Sequence, residues 1–138
     1  MLSLSNNLYD ARFLAGVCYF NATDFFEAHE SWEDLWKDYQ GPVRKFYQGL
    51  IQVAVCLHHF GNGNVHGARK LYHSSVAYLT PYRPHQDGVN LDQLLAELAT
   101  CCQAILELDE QFPAMEIEPA AIPKIHLDPA PADPSARP

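Results

Sequence analysis

Between Phe25 and Trp36 the chain reads "FFEAHESWEDLW". One histidine and three glutamates share these twelve residues with two phenylalanines, one leucine and two tryptophans. Imidazole beside carboxylate can move a proton, bind a cation or tie helices together. For acid–base chemistry the candidates are Glu33 or Glu30 as base, with His29 or His59 as partner. No nucleophile accompanies them in a recognised setting: Ser31 falls on the polar side of its helix, and "GNGN" (61–64) lacks the lysine of a phosphate loop.

Metal chemistry is weaker on spacing. In "HESWE" a glutamate, Glu33, stands where a zincin has its second histidine. The Glu-x-x-His pair of di-iron bundles is absent, because none of the residues three before a histidine is glutamate. A single zinc or iron ion on His29, Glu33 and His59 is geometrically allowed. No metal or other cofactor is expected.

These side chains must be held by helices. Gly and Pro divide the chain into about five helical segments, at about 6–20, 24–39, 42–60, 64–79 and 90–111, with no convincing strand. Thr23 is expected to cap the second helix and Pro42 to open the third. "TPYRPHQDGVN" (80–90) reads as a long loop. The fifth segment repeats Leu91, Leu94, Leu95, Leu98, Cys101, Cys102, Ile105, Leu108 and Phe112 at threes and fours. The fold class is therefore all-α: one multihelical bundle, residues 1–112, around a central helix at about 42–60. Seven prolines from Pro113 onward mark a tail, 113–138. Ile117, Ile122, Ile125 and Leu127 suit docking on the bundle, and "PAPADPSARP" suits disorder.

A helix advances about 100° per residue, so faces follow from spacing. In the second helix Phe25, Phe26, Ala28, Trp32, Leu35, Trp36 and Tyr39 share one arc. Glu27, Ser31, Asp34, Lys37 and Asp38 lie opposite, and Glu30 lies at the border. His29 and Glu33, spaced i and i+4, point inward. The third helix is apolar nearly all round, as a central helix should be. Its polar residues gather on one stripe, Gln48, Gln52 and His59, with Arg44 at the end. A buried glutamine needs a partner, so His29 and Glu33 are expected to face that stripe. Trp32 and Trp36 join Gln48 and Gln52 as candidate binding residues, although a tryptophan stripe is more often core.

Net charge is −8 with nine scattered basic residues, which gives a nucleic-acid role no footprint. No apolar run approaches the roughly 18 residues of a spanning helix. The four cysteines, Cys18, Cys56, Cys101 and Cys102, fall in apolar helical patterns and read as buried reduced thiols of a cytoplasmic protein. Asn21-Ala22-Thr23 matches a glycosylation sequon and reads as a helix junction.

"FFEAHESWEDLW" followed by "GPVRKFYQGLIQVAVCLHHFGNGNVHGARKLY" resembles the domain-of-unknown-function family 309 (DUF309) over about Asn21 to Leu79. The resemblance implies an all-α bundle around a buried central helix, makes His59 rather than His58 the matching histidine, and brings no established activity. The preferred reading is a non-catalytic module that binds a small molecule or a protein, its polar cluster a satisfied structural network. The alternative is a small-metabolite hydrolase or lyase using Glu33 or Glu30 with His29 or His59. Neither nucleic acid nor membrane is an expected partner, and a homodimer fits an acidic bundle.

Overall fold

A computed structural model describes residues 9–107 and 117–131. Among the described residues there are five α-helices: α1 (Ala11–Asn21), α2 (Phe25–Asp38), α3 (Arg44–Gly61), α4 (Val65–Leu79) and α5 (Leu91–Leu106). The chain is an all-α bundle, and α3 is its axis, packed against α2 on one side and α4 on the other. Its fully buried Phe46, Leu50, Val53 and Leu57 meet Phe13, Phe20 and Trp32 from α1 and α2. Among the described residues no helix is long and apolar enough to cross a membrane.

Caps set the boundaries and correct several expectations. Helix α1 begins at Ala11 because Asp10 caps it, its carboxylate accepting from Arg12 N at 2.8 Å. Thr23 does not cap α2. It ends α1 with φ +63°, while Thr23 N bonds Phe20 O at 2.9 Å and Asp24 N bonds Tyr19 O at 2.8 Å. Those two bonds form a Schellman closure, with Thr23 in the left-handed position that glycine usually takes. Gly63, at φ +80°, repeats the closure after α3, and Asn64 then caps α4 by accepting from Gly67 N at 3.0 Å. Pro42 lies in the turn before α3 rather than in its first turn.

The expected loop at 80–90 contains a short antiparallel hairpin, His85–Gln86 paired with Val89–Asn90. Its turn, Asp87-Gly88, has positive φ at both residues, as a type I′ turn needs. The Asp-Gly dipeptide was the signal for it.

The segment 117–131 runs along the bundle. Asn21 holds it like a strand partner, Nδ2 donating to Ile125 O and Oδ1 accepting from Ile125 N, both at 2.8 Å. Ile125 is buried, and Ile117, Ile122 and Leu127 pack on the core. Several expectations lie outside the described residues: helix before Tyr9, the α5 pattern at Leu108 and Phe112, and, of the disorder expected over 129–138, residues 132–138; Pro129, within the described part, accepts from the Tyr9 hydroxyl.

Candidate functional site in the cleft between α2 and α3

Two stripes run along α2, one on each seam. Glu27, Ser31, Asp34 and Asp38 follow α1. There Arg12 Nη1 donates to Asp34 O at 3.2 Å and to Asp38 Oδ2 at 2.7 Å. Glu27 and Ser31, on the polar side of the helix, are half-buried. The other stripe, Phe26, His29, Glu33 and Trp36, follows α3.

On this second seam Glu33, Trp36, Gln48, Ile51 and Gln52 line a cleft of about 140 Å³. The two independent periodicities therefore do bring Glu33, Gln48 and Gln52 together. The cleft is open: the Glu33 side chain is 35% exposed, with Lys37 Nζ 3.9 Å from its carboxylate. Arg44 pins the far end. Its guanidinium lies 3.8 Å from the Trp36 ring centroid, and its Nε donates to Trp36 O at 3.2 Å and Tyr39 O at 2.9 Å. One cation thus stacks on an indole and closes the last turn of α2.

The expectation of a satisfied network fails here. Trp36 Nε1 and Gln52 Oε1 are both buried and have no hydrogen-bond partner among the described residues. One is a donor and the other an acceptor, and both residues line the same cleft. Each buried orphan costs on the order of 1–3 kcal/mol.

His29 sits one turn before Glu33, its side chain 19% exposed. Its Nδ1 is 3.0 Å from Phe26 O, and a carbonyl can only accept, so Nδ1 is the donor of that pair. Glu30 is 54% exposed, with Oε2 4.0 Å from His29 Nδ1. His29, Glu30 and Glu33 bring one nitrogen and two carboxylate oxygens within 4.8 Å of one another, a donor set that suits zinc or iron. His59 is not in that group. It lies seven residues beyond Gln52, about 10.5 Å along the helix axis, with Nδ1 3.4 Å from Asn64 Nδ2. Burial, then the neighbouring charge of His58, holds the His59 imidazole below its ordinary pKa.

Trp32 is not a cleft residue. It is fully buried, and its Nε1 donates to Phe13 O at 3.1 Å. Of the four candidate binding residues, Gln48, Gln52 and Trp36 line the cleft and Trp32 belongs to the core.

With this geometry in place, residues 13–71 match the family described as Domain of unknown function (DUF309). Over those residues the chain is similar to DUF309 proteins. The match begins in α1, earlier than the motif resemblance, and ends within α4. The uncharacterized protein YpuF of Bacillus subtilis (strain 168) is 31% identical over 109 residues, covering 78% of this chain and 62% of YpuF. An uncharacterized protein of Aquifex aeolicus (strain VF5) is 30% identical over 79 residues, 56% of this chain and 24% of that protein. The chain therefore spans less than two thirds of either relative.

Two further features depart from the sequence reading. Phe26, placed on the apolar arc, is 50% exposed and packs between His29 and His58, with ring centroids at 5.3 and 5.6 Å. Its angle was right for the α3 seam, but it sits on the outer lip of that seam. Cys18 is exposed, whereas Cys56, Cys101 and Cys102 are buried. Cys56 Sγ bonds Ala68 O at 3.2 Å and lies 3.9 Å from Cys102 Sγ. The hydrogen bond to Cys102, then burial, raises the Cys101 thiol well above its ordinary pKa, which keeps it protonated and unreactive.

Proposed function

We propose that this chain is a non-catalytic cytoplasmic binding module whose recognition site is the cleft between α2 and α3. The observation that carries this reading is the pair of unpartnered buried atoms, Trp36 Nε1 and Gln52 Oε1, in residues lining one open cleft. A polar cluster serving stability alone pairs its members. Polar atoms kept unpaired beside an opening are what a site looks like when its partner arrives from outside.

The lining also speaks against the hydrolase or lyase reading. It holds no hydroxyl or thiol, Glu33 faces Lys37, and the Nδ1 proton of His29 is committed to a backbone carbonyl. A resident metal has similar difficulty. Ligand atoms about 2.1 Å from one zinc stand roughly 3.4 Å apart. Here all three come from one helix, with His29 Nδ1 4.0 Å from Glu30 Oε2. The net charge of −8 favours neither nucleic acid nor anionic membrane as partner.

Gln52→Leu tests the reading, because leucine is close in volume and removes the orphan acceptor. Urea unfolding of the variant is expected to show stability unchanged or raised by up to about 1 kcal/mol. A loss above about 2 kcal/mol would mean that Gln52 holds a structural network, and the recognition reading would fall.

A further inference from the structure

The chemistry of the cleft limits what can enter it. At about 140 Å³ it is well below the roughly 300–1,000 Å³ of sites that enclose drug-sized ligands. It holds a group of a few heavy atoms, the size of the end of one side chain. That group must offer an acceptor to Trp36 Nε1–H and a donor to Gln52 Oε1. It must also tolerate a carboxylate, Glu33, in the wall.

Four kinds of group can be compared. An apolar group would leave both orphans buried and unpaired. A carboxylate could accept from Trp36 but would face Glu33 and bring Gln52 Oε1 no hydrogen. An ammonium or guanidinium would satisfy Gln52 and Glu33 but leave the indole N–H unpaired. It would also approach Arg44, whose guanidinium already lies 3.8 Å from the Trp36 ring centroid. A primary carboxamide has one carbonyl oxygen and two N–H groups, which matches one donor and two acceptors.

We infer that the cleft between α2 and α3 recognises a neutral primary carboxamide, as borne by an asparagine or glutamine side chain. Its carbonyl accepts from Trp36 Nε1–H, and its two N–H groups go to Gln52 Oε1 and the Glu33 carboxylate. Both orphan atoms lie beneath the surface that solvent touches, so occupancy requires the Trp36 and Gln52 side chains to turn toward the cleft. This inference rests on the recognition reading above.

The test is a titration of ¹⁵N-labelled full chain with acetamide, methylguanidinium chloride and sodium acetate, followed by NMR. Acetamide is expected to shift the Trp36 indole N–H and the Gln52 side-chain NH₂ signals saturably, at about ten millimolar or above for so small a probe. The Trp32 indole should stay in place. In Gln52→Leu the Trp36 shift should need about fivefold more acetamide, the loss of one hydrogen bond. Methylguanidinium or acetate saturating the same signals at lower concentration than acetamide would overturn the carboxamide assignment and leave a recognition cleft of other chemistry. Failure of all three probes would also overturn it, while the recognition reading would still be judged by the stability of Gln52→Leu.

Discussion

Trp32→Ala is expected to destabilise the chain by about 4 kcal/mol or more, enough to leave much of it unfolded at 37 °C if its stability lies at the low end for a domain of this size. The indole is fully buried where α1 crosses α2, with Phe20 at 5.9 Å between ring centroids. Truncation removes the largest side chain of the core and leaves a cavity that neighbouring aromatic rings cannot easily fill. It also strips Phe13 O of the N–H that reaches it at 3.1 Å. Trp32→Phe should recover most of the packing and lose mainly the hydrogen bond, at about 1–2 kcal/mol. Urea unfolding of the two variants separates the terms. If Trp32→Ala were as stable as the parent, the assignment of Trp32 to the core would be wrong.

The second large effect is on the other side of the same contact. A β-carbon at Gly16 would land in the Trp32 indole ring, so α1 approaches α2 this closely only because residue 16 has no side chain. Alanine is the better helix former by about 1 kcal/mol, which would predict a gain for Gly16→Ala. The clash should outweigh it, because the rigid indole is held by its bond to Phe13 and by packing on every side. A net loss of about 2–4 kcal/mol is expected, at or above the usual cost of overpacking. The effect should be coupled: Gly16→Ala should cost far less in a Trp32→Ala background, as a double-mutant cycle would show. Equal costs in both backgrounds would place the origin of the loss elsewhere.

Much of this architecture was legible in the sequence, because helix periodicity and core burial report the same physics. The apolar circumference of α3 marked it as central, and stripes on two helices placed Glu33 opposite Gln48 and Gln52. Periodicity could not show where a neighbouring helix stops. Phe26 therefore seemed buried, yet it lies on the rim beside His58. His59 shares the angular stripe of Gln52 but stands two turns further along, where Asn64 rather than Glu33 is its neighbour. Local backbone devices were misread for a related reason. Thr23 has the chemistry of an N-cap, but its position after Phe20 made it a C-terminal closure. The hairpin at Asp87-Gly88 is only two residues per strand, too short for alternation to reveal. The unpaired state of Trp36 and Gln52 was beyond sequence reasoning altogether. It depends on rotamers that bring polar atoms close without pairing them.

The central claim is that the cleft keeps unpaired polar atoms ready for an occupant. The chain has two tryptophans, so its two indole N–H signals offer a direct comparison. Trp32 Nε1–H is bonded to Phe13 O in the core, and Trp36 Nε1–H has no partner among the described residues. Hydrogen–deuterium exchange followed by NMR should find the Trp36 proton exchanging at least about tenfold faster than the Trp32 proton. Equal protection of the two protons would contradict the account, since it would mean that Trp36 is paired within a closed, structural network.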